Sequence, residues 1–248
     1  MKFLLGFIVL SLSILALAGG AAWSLGYFQP TGQPANFTVQ KGENFAEIAH
    51  RLEAQGVVRS ARALRWYVKY FHPHKKLHRG EFALHGNMPV PELVSALTEG
   101  KPIEYKFTVV EGENIFQIAE DLEAKGLSSR KAFLEAVRSP ELIRAIPWDS
   151  PLPRPKSVEG YLFPDTYLLQ KVFSPQEIAL VMVQRFKEAF KALDAEWKES
   201  VVAKELRLSL FDFVTLASIV EKETGAAAER PMIASVFVNR LKKRMRLQ

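Results

Sequence analysis

The sequence contains no cysteine among its 248 residues. This absence excludes disulfide bonds, thiolate metal sites, a cysteine nucleophile and a lipid anchor attached through cysteine. No low-complexity tract is present, and about half of the residues are apolar, which is the composition of a folded protein. A chain of this length can bury a sizeable core without disulfide bonds.

Several catalytic motifs are also missing from the sequence. There is no glycine-rich phosphate loop, no serine nucleophile elbow and no His-Glu zinc motif. His72, His74 and His78 lie close together, but their segment is strongly basic and contains no carboxylate, so it is interpreted as a solvated turn. We therefore expect no metal and no cofactor.

The charge of the chain is modestly positive, with a formal net charge of +6. Such a balance favours anionic partners, namely nucleic acid, acidic lipid headgroups or the carboxylates of a cell wall. The basic residues are interpreted as scattered rather than clustered with aromatic residues, so no nucleic-acid partner is expected.

Charge is absent near the N-terminus, where no charged residue occurs between Lys2 and Lys41. The apolar stretch exceeds the roughly 20 residues that a helix needs to cross a bilayer. Trp23, Tyr27 and Phe28 stand at its far end, where aromatic rings favour the headgroup zone. Residues 1–28 are therefore predicted to be a single transmembrane signal-anchor helix, with the N-terminus in the cytoplasm and the bulk of the chain outside.

A cleaved signal peptide is the competing interpretation of this segment. Ala16-Leu17-Ala18 has the small residues of a cleavage site. The uncleaved anchor is favoured because apolar and aromatic residues continue well past Ala18, and both interpretations export the remaining chain. Residues 29–34, rich in proline and glycine, then form a short linker.

An internal repeat is the clearest sign of organisation. The segment Phe37-Thr38-Val39 followed by a Gly-Glu-Asn turn recurs as Phe107-Thr108-Val109 with the same turn, and a helical pattern follows each copy. Asn44 with Glu47, and Asn114 with Gln117, are placed as capping boxes, and Gly56 and Gly126 as C-terminal caps. A second helix is predicted after each copy, at 61–71 and 128–137.

The first copy continues into a predicted returning strand at 80–84. The resulting β-α-α-β order, with Thr38-Val39 and Gly42-Glu43 before the first helix, resembles the LysM glycan-binding module. A duplicated structural unit without a ligand remains the alternative. We assign residues 29–105 to the linker and this LysM-like module, and residues 106–248 to a mixed catalytic domain, so that the fold class is α+β.

Glu221 is the first candidate catalytic residue. It lies near the end of an almost wholly apolar helix predicted from Ser209 to a stop at Gly225, and helical spacing places Val214, Ala217 and Ser218 on its face. These small side chains leave room for a cleft, and an apolar setting suits a carboxylic acid that donates a proton. From the pattern alone, a solvated helix end is the competing interpretation.

Residues 159–167 are predicted to form an aromatic-rich loop that contains two carboxylates. Aromatic faces with nearby carboxylates can bind sugars, because C–H faces are apolar and hydroxyl groups need acceptors. The alternative is a packed loop whose aromatic residues belong to the core. A long helix is predicted after it at 174–198, and a last helix at 232–245.

Three motifs resemble the endolytic murein transglycosylases of the YceG-like (MltG) family, and the resemblance runs through the whole chain. The motifs are Glu159-Gly160-Tyr161-Leu162-Phe163-Pro164-Asp165-Thr166-Tyr167, Leu216-Ala217-Ser218-Ile219-Val220-Glu221-Lys222-Glu223-Thr224, and Ala234-Ser235-Val236-Phe237-Val238-Asn239-Arg240-Leu241 followed by Met245-Arg246-Leu247-Gln248. Members of this family are single-span proteins of the bacterial inner membrane with a LysM-like subdomain before the catalytic one.

The resemblance implies a lytic transglycosylase that cuts peptidoglycan glycan strands and leaves 1,6-anhydro-N-acetylmuramic acid ends. It implies Glu221 as the single general acid and base, with the C6 hydroxyl of the substrate as a tethered nucleophile in place of a second carboxylate. Substrate contacts are expected from Glu159, Glu223, Asn239 and Gln248, and peptidoglycan synthases are expected partners. The family pattern continues past Gln248, so 106–248 is expected to be an incomplete catalytic domain.

Two alternative functions differ in class from this one. A non-catalytic glycan-binding scaffold beside the cell-wall synthases is the main alternative, and an intact motif around Glu221 argues against it. A lyase dependent on pyridoxal phosphate has no support, since neither a phosphate cup nor an isolated active-site lysine is evident in the sequence.

Overall fold

A computed structural model of the chain describes residue 8 and residues 11–20, 35–73, 76–85, 88–146 and 155–247. The chain divides into two compact units, Met1–Glu104 and Tyr105–Gln248. Each unit has its own hydrophobic core. Helices dominate, and the described strands form two small two-stranded sheets. The predicted α+β class is confirmed.

Little of the N-terminal segment is described. Residues 11–20 are helical and exposed. Among the described residues, no helix has both the length and the apolar character needed to cross a membrane. Most of the predicted anchor at 1–28 and the linker at 29–34 lie outside the described residues.

The first unit has the predicted β-α-α-β order, followed by a third helix. Its elements are β1 (Ala35–Val39), α1 (Phe45–Ala54), α2 (Ala61–Phe71), β2 (Gly80–Leu84) and α3 (Val90–Glu99). The two strands pair antiparallel, with Phe37 opposite Phe82, and both phenylalanines are buried. Glycan binding by this unit, as in a LysM module, stays a prediction.

The turns of the repeat form as their residues predict. Both capping boxes are present, at Asn44 and at Asn114. Gly56 and Gly126 each follow a helix with φ of +70° and +64°, a backbone conformation that glycine adopts without strain. Local hydrogen bonding therefore determines where α1 and its counterpart in the second copy begin and end.

The second unit is built around one long helix. Its elements are β3 (Tyr105–Thr108), α4 (Ile115–Ala124), α5 (Arg130–Ala136), α6 (Pro140–Ala145), β4 (Thr166–Leu169), α7 (Pro175–Glu199), α8 (Val201–Leu206), α9 (Leu210–Glu223), a 3-10 turn (Ala227–Glu229) and α10 (Arg230–Lys242). Strands β3 and β4 pair antiparallel, with Phe107 opposite Tyr167. The aromatic segment predicted as a loop therefore ends in a strand.

The helices α6 and α8 and the 3-10 turn were not predicted. Ser200 explains why α8 forms. It ends α7, and its hydroxyl caps α8 by accepting from the Ala203 N–H. The last helix begins at Arg230 rather than Met232, since Pro231 sits in its first turn, where a missing N–H costs nothing.

Candidate active site

Glu221 lies in the last turn of α9. The helix begins with the predicted capping box, in which Ser209 and Asp212 satisfy each other's backbone N–H groups. Leu210 anchors its start in the core of the second unit. Val214 and Ser218 line the same space as Glu221, as the helical spacing predicts.

Two cavities meet at Glu221. One, the polar cavity, has a volume of about 670 Å³ and polar side chains that include Asn114, Lys156 and Thr215 in its lining. The other has a volume of about 440 Å³ and an aromatic lining. Its aromatic residues are Phe163, Phe186, Phe190 and Phe213. The residues common to both linings are Gly112, Gly160, Pro164, Val214, Ser218 and Glu221.

The Glu221 carboxylate has a cationic partner. Nη2 of Arg230 lies 3.2 Å from Oε1 and 3.1 Å from Oε2. The two side chains are 34% and 37% exposed for Glu221 and Arg230, so the pair faces the aromatic cavity without being sealed from solvent. The apolar setting expected for this carboxyl from the sequence is therefore only part of its surroundings, because the Arg230 guanidinium also contacts it.

The turn between α9 and α10 places Arg230 across from Glu221. Thr224 ends α9, and its buried hydroxyl donates to Glu229 at 2.8 Å and accepts from the Ala226 N–H at 3.0 Å. These bonds hold the reversal of the chain that brings the first residue of α10 back to the last turn of α9. Sequence periodicity gives no signal for a contact made across such a turn.

The other acidic residues of the polar cavity already accept backbone hydrogen bonds. Glu159 accepts from the N–H of Ile115, the first residue of α4, at 3.3 Å. Glu113 accepts from the Val110 N–H at 3.0 Å. Glu159, predicted to contact substrate, therefore lines the cavity but also ties the aromatic segment to the N-terminus of a helix, where a negative charge is favourable.

The aromatic segment at 159–167 is held in place by its own side chains. Tyr161 is fully buried and meets the ring of Phe186 edge to face at 5.0 Å. Tyr167 donates its hydroxyl to the carbonyl of Phe163. Burial, with a smaller contribution from the charge of Asp165, raises the pKa of Tyr167 well above its usual range, so this donor stays protonated.

An ion pair closes the end of this segment. Nε of Arg185 donates to Asp165 at 2.7 Å, and the guanidinium stands 5.3 Å from the centre of the Phe163 ring. The hydrogen bond from Arg185, followed by one from the Thr166 N–H, lowers the pKa of Asp165 below its ordinary 3.8.

We predict that this pair stabilises the fold at neutral pH and that acid removes the effect. A carboxyl whose pKa is lower in the folded chain contributes stability above its unfolded pKa, and the contribution disappears as the pH falls through the folded value. Asp165→Asn should therefore unfold at lower urea than the wild type at pH 7, with the gap closing as the pH falls below about 3.8. The matched control is Asp121→Asn, at an exposed position of α4. An equal gap at both positions would contradict the prediction.

Gly160 is required at the junction of the two cavities. Its φ is +84°, and an added Cβ would lie 3.0 Å from Cγ1 of Val214. We expect Gly160→Ala to cost about 1–2 kcal/mol from the left-handed backbone alone, and to displace the wall beside Glu221 as well. Gly126→Ala is the control, because its φ is +64° and nothing lies within 4 Å. Urea unfolding should show the larger loss at Gly160, and equal losses would rule out the Val214 contact.

Lys222 joins α9 to the loop before α4. Its Nζ donates to the carbonyl of Gly112 at 2.7 Å, and both residues line the polar cavity. The same loop carries Asn114, so this part of the cavity wall is tied to the helix that carries Glu221. The sequence did not indicate this contact, since the two residues are far apart along the chain.

Two of the remaining predicted site residues are not brought to the cavities. Glu223 and Asn239 are exposed and line neither cavity, and Gln248 lies outside the described residues. Within the described ranges, no three histidine or acidic side chains come close enough together to hold a metal ion.

Comparison with known proteins decides the family. The model of the YceG-like family matches residues 37–248. The chain belongs to the YceG-like family. Curated relatives include the endolytic murein transglycosylase of Bacillus subtilis, 29% identical over 86% of this chain and 60% of that protein. The endolytic murein transglycosylase of Streptococcus pneumoniae is 28% identical over 85% of this chain and 41% of that protein.

The chain thus spans about half the length of the curated YceG-like relatives that it matches. Among solved structures, it is similar to a putative yceG-like protein from Listeria monocytogenes, with 29% identity and a TM-score of 0.48. That match covers 87% of this chain and 72% of the other.

Proposed function

We propose that this YceG-like chain is a membrane-anchored endolytic peptidoglycan transglycosylase. It cleaves the bond between N-acetylmuramic acid and N-acetylglucosamine within a glycan strand, and it leaves a 1,6-anhydro-N-acetylmuramic acid end. The relatives named endolytic murein transglycosylase support the reaction. The uncharged stretch from residue 3 to residue 40 supports an anchor at 1–28, with the catalytic unit outside the cytoplasm.

The observation that carries the proposal is the position of Glu221 where two cavities meet. An enzyme that cuts within a polymer must hold sugars on both sides of the scissile bond. A carboxyl between a polar cavity and an aromatic cavity stands where the bond would lie when both are filled. Aromatic rings suit the apolar faces of sugar rings, and the polar cavity supplies partners for hydroxyl groups.

The chemistry needs only one carboxyl group in two protonation states. Glu221 donates a proton to the glycosidic oxygen as the bond to C1 of N-acetylmuramic acid breaks. It then accepts the proton of the C6 hydroxyl on the same sugar, as that oxygen bonds to C1. No water is consumed, and Glu221 returns to its acid form. The attacking oxygen is tethered to the carbon that it attacks, so a high effective concentration replaces a second carboxylate.

The surroundings of Glu221 support a single acid rather than a pair. Hydrolysis of a glycoside ordinarily uses two carboxyl groups. In the polar cavity, Glu113 and Glu159 both accept backbone hydrogen bonds that hold local structure. In the aromatic cavity, Glu111 is the only other acid among the described lining residues, and it is exposed to solvent.

Digestion of purified peptidoglycan tests the proposal. The chain is incubated with intact sacculi, beside the Bacillus subtilis endolytic murein transglycosylase as a positive control, and the released material is separated by mass. Internal cleavage yields fragments of many lengths, each with one anhydro end. Binding to sacculi without any new ends would instead favour a glycan-binding scaffold.

A further inference from the structure

The exposed side of α2 in the first unit carries large aromatic residues. Trp66, Tyr70 and Phe71 are 52%, 60% and 61% exposed. The opposite side of the helix packs into the core through Ala61 and Leu64. The exposed rings are therefore not needed to hold the helix on its unit.

These rings form a cluster. Trp66 lies 4.9 Å from Tyr70 and 6.3 Å from Phe71 between ring centres. Tyr67 stacks on Phe71 at 5.0 Å and extends the cluster towards the core. The arrangement places several rings on one continuous patch instead of scattering them over the surface.

Basic residues run beside the rings. Arg62, Arg65 and Lys69 are exposed, and with Trp66 they line a groove of about 500 Å³ that has no acidic residue in its described lining. None of the three cations forms an ion pair with another described residue. The expectation that the basic residues are not clustered with aromatic ones is wrong at this helix, because helical spacing brings the two kinds of residue together.

We propose that this surface of α2, made by Arg62, Arg65, Trp66, Lys69 and Tyr70, docks on an anionic lipid bilayer. Tryptophan and tyrosine favour the zone between headgroups and acyl chains. Arginine and lysine beside them meet anionic headgroups while their aliphatic stems cover apolar surface. A helix with this pattern lies in the plane of the interface.

The tether makes the contact geometrically accessible, and this step rests on the proposed anchor. Six residues, 29–34, separate the end of the predicted anchor at Phe28 from the start of β1 at Ala35, so seven Cα-to-Cα steps join the two. Fully extended, they span at most about 25 Å. The first unit is then confined near the bilayer, so a modest attraction is enough to keep α2 docked.

A spin label tests the docking in the full chain. The sequence has no cysteine, so Tyr70→Cys provides a unique labelling site. Ala54→Cys, at the exposed end of α1, is the matched control. Each labelled chain is reconstituted into nanodiscs of neutral lipid, or of neutral lipid with phosphatidylglycerol. Accessibility to oxygen and to a water-soluble nickel complex then reports the depth of the label.

We expect the label at position 70 to be shielded from nickel in anionic discs and the label at position 54 to stay accessible in both. Reversing the three charges, with Arg62→Glu, Arg65→Glu and Lys69→Glu together, should lower the ratio of docked to free chains by about a hundredfold or more, because each basic residue contributes about fivefold near an anionic surface. A label at position 70 as accessible as the control in anionic discs overturns the proposal. Shielding by added glycan strands but not by lipid would also overturn it and assign the surface to glycan.

Flotation of the same chain with neutral vesicles reports the anchor separately. If the chain floats only with anionic vesicles, and charge reversal abolishes the flotation, the prediction of an anchor at 1–28 is contradicted and the docking of the α2 surface is supported. If it floats with neutral vesicles and the label shows no docking, the anchor is supported and the surface is not.

Discussion

Replacing Glu221 with glutamine is expected to lower the rate of glycan cleavage by about 10²- to 10⁴-fold, the usual contribution of a general acid or base. Glutamine keeps the size of the side chain and an oxygen that can still accept from Arg230, so the site should keep its shape. It cannot donate a proton to the glycosidic oxygen or accept one from the C6 hydroxyl. The rate of appearance of anhydro ends, measured by mass spectrometry, checks the prediction.

Glu223→Gln is the matched control on the same helix. Glu223 lies two residues further along α9, is exposed and lines neither cavity. The same change in charge and size at this position should leave the rate within about twofold of the wild type, since surface substitutions are usually close to neutral. Equal losses at the two positions would mean that negative charge at the end of α9, rather than proton transfer by Glu221, supports activity.

Replacing Arg230 with alanine is expected to produce the second largest loss, about 10- to 100-fold in kcat. A single guanidinium nitrogen contacts both oxygens of Glu221, at 3.2 and 3.1 Å. Without it, the carboxyl is free to rotate, and small displacements of a catalytic group lower the rate strongly. The loss should appear in kcat more than in KM, because the proposed role of Arg230 is to position Glu221.

Stability separates this role from a structural one. The side chains of Arg230 and Glu221 are each about a third exposed. Ion pairs with this exposure contribute at most about 1 kcal/mol to the free energy of unfolding. Arg230→Ala should therefore unfold at nearly the urea concentration of the wild type, and Arg230→Lys should restore part of kcat. A large drop in stability with no rescue by lysine would show that Arg230 holds the turn rather than the carboxyl.

The parts of this molecule that the sequence predicts are those determined by neighbours in the chain. The capping boxes at Asn44, Asn114 and Ser209 formed because their partners lie three residues away. The face shared by Val214, Ser218 and Glu221 follows from the helical period. The same locality explains why the β-α-α-β order of the first unit was correct.

The parts that the sequence did not predict depend on contacts across turns or between distant segments. Arg230 reaches Glu221 only because Thr224 and its partners reverse the chain. Strand β4 exists because it pairs with β3. The paired residues Thr108 and Thr166 are 58 positions apart in the sequence. The ties from Glu159 to α4 and from Lys222 to Gly112 are of the same kind, and no local pattern records them.

In the proposed mechanism, Glu221 serves both halves of the reaction. The other described acids of the polar cavity have structural partners, so an intramolecular nucleophile accounts for the arrangement better than an activated water. The tethered nucleophile separates the proposed reaction from ordinary glycoside hydrolysis, although both would shorten the same strands.

Digestion of peptidoglycan in water labelled with heavy oxygen tests this central claim most directly. Intramolecular attack predicts new ends that lack one water relative to N-acetylmuramic acid and contain no heavy oxygen, and none should form with the Glu221→Gln variant. New reducing ends that carry heavy oxygen would contradict the account. They would make this chain a hydrolase and would direct attention to Glu111 and Glu159 as the second carboxylate.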